Sequence, residues 1–322
     1  MTATTAPATP QLTKETRGDG AFVRQPNAFR DRITADGSSG YKAEPGRYHL
    51  YVSLACPWAH RSIIVRRLLG LEDVISMSVV DPIRDERGWA FRDGPGYSAD
   101  PVNGFSFLGD AYLATDPTFE GRYTVPALWD RATHRIVSND YPVLTTMIED
   151  AFAAYATPGV DLYPRALRKE IDAVNAVVYD DVNNGVYKAG FAATQEAYEQ
   201  AFDALFARLD ELEERLARQR FLVGDGLTEA DIRLFTTLVR FDTVYYVHFK
   251  CNLRRLVDYP NLWAYARDLY QQPGFGDTVN FDHIKRHYYM THDQLNPSRI
   301  VPKGPAMDWL APHGRDPVAS SQ

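Results

Sequence analysis

The sequence predicts a small α/β domain followed by an all-helical one, on three observations. A segment that alternates strand formers leads directly into a capped helix and a second strand. A hairpin-like segment with a proline follows it. From Asn139 onward the apolar residues recur at helical spacing. At 322 residues the chain has room for two domains, because single cores stop growing well before twice the usual length of roughly 100–150 residues. The expected division is an N-terminal extension over 1–45, partly disordered, an α/β domain over 46–155 with a long insertion at 81–121, and a helical domain over 160–322 that ends in a C-terminal extension.

The first strand is read at Tyr48, Leu50 and Val52, which alternate with His49, Tyr51 and Ser53. Pro57 opens the helix that follows and Gly70 closes it, the favoured start and stop, so Cys56 falls at its N-cap. A second strand over 74–80 completes a βαβ unit. Residues 81–121 show no sustained period and carry Trp89, Phe91, Phe105 and Phe107. A loop of this length in a compact domain is usually functional. Residues 123–129 and 135–137 read as a hairpin with Pro126 inside its first strand, where a residue that cannot donate to a ladder needs a special reason. Leu167, Ile171, Val174 and Val178 mark one amphipathic helix, and Tyr198, Phe202, Leu205, Leu209, Leu212 and Leu216 a longer one. Thr228 and Asp231 have the spacing of a capping box flanked by Leu227 and Ile232, and a further helix is expected over 261–271.

Composition narrows the function. A net charge of −7 spread over the chain gives no basic face for nucleic acid. Residues 1–10 are Thr, Ala and Pro without a basic start or an apolar run, so neither a signal peptide nor a membrane span is expected. Only two cysteines, Cys56 and Cys251, are present, too few for a disulfide framework; a reducing compartment, the cytoplasm, is expected. His283, His287 and His292 cluster without a carboxylate or thiolate in a ligand pattern, so no metal is expected.

Cys56 carries the sharpest chemical signal. A cysteine at a helix N-terminus has its thiolate stabilised by unsatisfied backbone N–H groups and the helix dipole, which lowers its pKa from about 8.5 toward roughly 3.5–7.5. Ala59 stands where a dithiol oxidoreductase has its second cysteine, so an external small thiol is the simpler resolving partner. Pro126 would be explained by a cis bond after Val125, turning Val125's backbone toward the helix end, where a peptide-like thiol could pair with it as an added strand. The next helix start, Ser138-Asn139-Asp140-Tyr141, offers N–H groups for a carboxylate, although capping alone explains Ser138 and Asn139 equally well. Tyr187, Tyr288 and Tyr289 can donate to a developing oxyanion while their rings pack on an aromatic substrate; helix packing is the plainer alternative.

Several segments together resemble the glutathionyl-hydroquinone reductases, the Xi class of the glutathione transferase superfamily. They are Cys56-Pro57-Trp58-Ala59-His60-Arg61, Gly88-Trp89-Ala90-Phe91, residues 123–130, 183–190 and 282–289, and the Asn296-Pro297-Ser298-Arg299-Ile300-Val301-Pro302 stretch. The resemblance implies a thioredoxin-like N-terminal domain, an all-α glutathione-transferase-type C-terminal domain, and a homodimer without metal or prosthetic group. It implies that Cys56 attacks the sulfur of a glutathionyl-hydroquinone and forms a mixed disulfide that a second glutathione resolves. It assigns thiol binding to Trp89, Val125, Asp140 and Tyr141, and the quinol oxygens to Tyr187 with Tyr288 or Tyr289.

One departure concerns the thiol. Where the family reads Glu-Ser at the helix start that grips the γ-glutamyl group, this chain has Asp140-Tyr141 followed by Pro142, so the co-substrate is glutathione bound differently or another thiol such as mycothiol. Three rival functions remain: a conjugating transferase, a general deglutathionylase, and a non-catalytic binding protein on the same fold.

Overall fold

The computed structural model describes residues 15–315; the lead-in at 1–10, expected to be disordered, lies outside the described residues. Two compact units result. The first holds residues 15–16, 23–158 and 280–302, and the second residues 17–22, 159–279 and 303–315. The segment 280–302, grouped by sequence with the helical domain, therefore packs with the first unit. Its helical periodicity shows that it has an apolar face but not which partner covers that face.

The first unit is built on a four-stranded sheet in the order β2-β1-β3-β4. Strand β1 (Tyr48–Val52) runs parallel to β2 (Ser76–Val79) and antiparallel to β3 (Ala127–Asp130), which forms a hairpin with β4 (Arg135–Ser138). Helix α1 (Pro57–Leu68) crosses between β1 and β2, and α3 (Tyr141–Phe152) packs on α1. All five residues of β1 are buried, so its alternation marks two covered faces, not one wet and one dry. The 81–107 segment is the second cover: the Tyr51 ring meets Phe91 at 5.0 Å, the Tyr51 hydroxyl lies 3.2 Å from Asp100, and Phe105 packs edge-on to Trp129.

Two local expectations are corrected. The 81–121 insertion contains a helix, α2 (Leu108–Thr115), whose start is held by the Asp110 carboxylate accepting from the backbone N–H groups of Ser106 and Phe107. Strand β3 begins at Ala127, so Pro126 sits just before the ladder and costs it no hydrogen bond. At the far edge, the Asp31 N–H donates to Val137 O and the Asn139 N–H to Phe29 O, so part of the N-terminal extension covers β4.

The second unit is helical. Helix α4 (Arg168–Val177) runs through a π-helical turn at Val178–Asn183 into α5 (Gly185–Gly190), followed by the long α6 (Gln195–Leu216), which buries Leu205, Leu209, Leu212 and Leu216. Then come α7 (Glu229–Leu238), the short α8 (Tyr246–His248) and α9 (Pro260–Gln271). Helix α10 (Phe281–Thr291) returns to the first unit. Among the described residues, no helix is long and apolar enough to cross a membrane.

Burial in the sheet has a pH consequence. The His49 ring lies between Ser76 Oγ (2.7 Å) and Ser78 Oγ (2.9 Å), and desolvation, aided by Arg131, pushes its pKa from 6.5 down to about 4. His248 in the second unit is likewise pushed down to about 4 by burial. Both are neutral in the fold while the unfolded chain takes up protons below 6.5, so the stability they contribute is present above that pH and lost as pH falls toward about 4. The loss is on the order of 3 kcal/mol for each residue. Urea unfolding at pH 7 and pH 4.5 should show a shallower acid loss in His49→Gln than in wild type; equal losses would rule the His49 contribution out.

Candidate active site

Cys56 is the N-cap of α1, with extended backbone angles (φ −77°, ψ 120°). Its carbonyl accepts the His60 N–H at 3.0 Å, the first bond of the helix, and Pro57 at the first turn has no N–H to satisfy. Cys56 is buried, at 9% exposure, and its thiol approaches Val125 O at 3.5 Å; the Val125–Pro126 bond is cis, as the sequence suggested. The helix end favours a thiolate, whereas the carbonyl accepts only from the protonated thiol, so the two act in opposite directions on Cys56. Neither cysteine forms a disulfide.

Beside Cys56 lies an aromatic and cationic stack that sequence reasoning missed. The Trp58 ring meets the Tyr141 ring at 4.6 Å, and the guanidinium groups of Arg24 and Arg61 lie 4.8 and 4.7 Å from its centroid. Arg61 is almost fully buried. The available signal was Trp58 itself, a large aromatic directly after Cys-Pro in a helix's first turn.

The α3 start differs from the expected carboxylate cradle. Asp140 is its N-cap and Pro142 brings no N–H to the first turn. The Asp140 N–H donates to Ser138 Oγ, the Tyr141 N–H to Asn139 O, and the Val143 N–H to Asp140 O. The Asp140 carboxylate accepts from Asn27 Nδ2 at 3.0 Å. This end therefore presents an acidic side chain and a phenol in place of open N–H donors.

Trp89 is buried and stacks on His287 at 4.8 Å with an interplanar angle of 24°. Tyr288 follows His287 on α10 and meets the His287 and His292 rings edge-on at 5.2 and 5.5 Å. Tyr289 is also buried, which pushes its phenol up to about 12. The first unit thus holds Cys56, Trp89, Val125, Asp140, Tyr141, Tyr288 and Tyr289. Tyr187 belongs to the second unit, on α5, where Phe249 packs on its ring at 5.4 Å. Gly190 makes that packing feasible, since a Cβ there would stand 2.3 Å from the Phe249 ring. Among the described residues, no group of three or more His, Cys, Asp or Glu side chains is arranged to hold a metal ion. The histidine rings bond to backbone instead: His283 Nε2 to Pro95 O and His287 Nδ1 to Pro82 O, both at 2.8 Å.

Comparison with known families agrees with a strand-helix-strand domain followed by helices. Residues 55–151 match the family model "Glutathione S-transferase, N-terminal domain" and residues 195–268 match "Glutathione S-transferase, C-terminal domain". The fold is that of a glutathione S-transferase. The chain is 52% identical over 304 residues to the glutathionyl-hydroquinone reductase YqjG of Escherichia coli K12, covering 92% of this chain and 93% of that one. Similar solved structures include the Xi glutathione S-transferase of Phanerochaete chrysosporium, with TM-score 0.88, 51% identity, and 90% and 94% of the two chains covered. The glutathione-bound structure of YqjG gives TM-score 0.87, 53% identity, and coverage of 89% and 96%. The chain belongs to the Xi-class glutathionyl-hydroquinone reductase family of the glutathione S-transferases.

Proposed function

We propose that the chain is a cytoplasmic, homodimeric reductase that uses glutathione to remove glutathione from glutathionyl-hydroquinones, through Cys56. The observation that carries this reading is the Cys56 thiol at the N-cap of α1, within 3.5 Å of Val125 O, in a chain similar to a named glutathionyl-hydroquinone reductase and to its glutathione-bound structure. In the first step the Cys56 thiolate attacks the conjugate's sulfur. The carbon–sulfur bond breaks, its electron pair goes to the ring carbon, and a proton added there gives free hydroquinone and a Cys56–glutathione disulfide. A second glutathione thiolate then attacks that disulfide, restores Cys56 and leaves as oxidised glutathione.

Trp89 packs along the bound thiol, Val125 pairs with its backbone, and Asp140 and Tyr141 face its far end. Tyr288 and Tyr289 hold the quinol oxygens, which share the charge that develops on the leaving carbon. The parallel role for Tyr187 rests on the resemblance of its segment alone. Asp140-Tyr141 in place of the family's Glu-Ser, with the α3 N–H groups engaged within the chain, keeps a second donor, mycothiol, as the alternative for the same chemistry.

The test is steady-state reduction of glutathionyl-hydroquinone and its mycothiol counterpart, each with the matching free thiol. Turnover with glutathione at least about tenfold the better in kcat/KM supports the first donor and the reverse supports mycothiol. Absence of turnover with both conjugates would overturn the reductase reading and leave the deglutathionylase, transferase or binding-protein alternatives.

A further inference from the structure

We propose that His283 and His287 act as a two-point clamp that fixes the Trp89 loop to helix α10 and thereby sets the position of Trp89. The two histidines stand one helical turn apart, so their side chains project from the same face of α10. His287 Nδ1 bonds to Pro82 O and His283 Nε2 to Pro95 O, each at 2.8 Å. These two carbonyls bracket the loop that carries Trp89, one on either side of it in the chain. Since both acceptors are carbonyls, the bonded nitrogen of each ring is the one that carries the proton.

The clamp is tightened at both ends. The Arg84 N–H donates to Thr291 Oγ1 at 3.3 Å, and Thr291 Oγ1 is itself 3.4 Å from His287 Nδ1. At the other end Tyr97 packs edge-on to His283 at 5.6 Å, and Gly96, with φ +80°, brings the backbone against that ring. Between the two anchors the His287 ring lies flat on Trp89, while the Arg84 guanidinium stands 5.5 Å from the indole centroid. Histidine at position 287 thus does two things at once: it donates to the loop's backbone and supplies the surface on which the indole rests.

This deepens the proposed reading and rests on it, because Trp89 is the residue assigned to the bound thiol and the clamping helix is the one that carries Tyr288 and Tyr289. Both histidines are positioning residues that act through Trp89. His287→Phe keeps an aromatic surface but removes the donor. His287→Asn restores a donor close to the position of Nδ1, and His283→Gln does the same for Nε2.

His287→Phe is expected to raise KM for glutathione about tenfold while kcat changes by less than about twofold, with partial rescue in His287→Asn. In a Trp89→Leu background, His287→Phe is expected to change kcat/KM by less than about twofold, because the residue through which it acts is gone. Effects of the two substitutions that multiply would overturn the proposal. A second readout needs neither substrate nor turnover: amide hydrogen exchange of residues 83–95 should accelerate in His287→Phe and in His283→Leu, and return toward wild type in His287→Asn and His283→Gln. Unchanged exchange in both apolar variants overturns the clamp, whatever the reductase assay gives. Faster exchange in a protein that reduces neither conjugate upholds the clamp and counts against the functional reading alone.

Discussion

Cys56→Ala is expected to abolish glutathionyl-hydroquinone reduction, lowering kcat/KM by about 10³-fold or more, because the proposed reaction has no step that avoids a bond to this sulfur. No second thiol stands ready to replace it: Cys251 is fully buried in the second unit, and burial pushes its thiol well above the usual range, away from the nucleophilic thiolate. Intact mass measured after mixing with substrate, in the absence of free thiol, should show one glutathione added to wild type and none added to Cys56→Ala. Cys56→Ser separates the rival mechanisms. A transferase that only activates glutathione for attack on an electrophile tolerates a hydroxyl at this position, whereas disulfide chemistry does not. Reductase activity in Cys56→Ala within about tenfold of wild type would sink the Cys56 mechanism.

Legibility from sequence followed the range of the interactions. The βαβ unit was readable because its signals are local: Pro57 at the helix start, Gly70 past its end, and strand formers on either side. Helix α2 was not, since Leu108–Thr115 is eight residues long, contains Gly109 and starts at Phe107, which cannot cap; only Asp110, three residues on, marks its beginning. The position of β3 was blurred because Tyr123, Thr124 and Val125 are strand formers on the far side of Pro126, while only Ala127–Asp130 finds a ladder partner. Placement of α10 with the first unit depends on contacts such as His287 with Pro82 and Trp89, about two hundred residues away in the chain, and no window along the sequence contains both. The same limit applies to the candidate site. Cys56 and the Val125–Pro126 bond were read from neighbours in sequence. The stack on Trp58 and the histidine clamp join side chains that only the fold brings together.

The largest stability effect is expected at Asp231, whose carboxylate holds the start of α7. Oδ1 accepts from the Leu222 N–H and the Tyr265 hydroxyl, both at 2.8 Å, and Oδ2 from the Thr228 N–H at 2.9 Å and its hydroxyl at 3.1 Å. One fully buried side chain thus ties the loop before α7, the cap of α7 and helix α9 together. Asp231→Ala leaves the Leu222 and Thr228 N–H groups and the Tyr265 hydroxyl without that acceptor, at about 1–3 kcal/mol for each buried donor. A loss of about 4 kcal/mol is expected, which lowers Tm by about 10 °C in a domain of this size. Asp231→Asn should recover less than half of it, because an amide turns its NH₂ toward donors where the carboxylate has a second acceptor. Acid supplies an independent check. Burial outweighs the four donors and raises the Asp231 carboxyl above its ordinary 3.8, so the folded state holds this proton more tightly than the unfolded chain. The stability linked to that proton is fully present below 3.8 and lost as pH rises through the folded value. The gap between wild type and Asp231→Ala should therefore widen as pH falls. A gap under about 1 kcal/mol at neutral pH, or one that closes on acidification, would mean that the four contacts do not hold the α7 start as the geometry indicates.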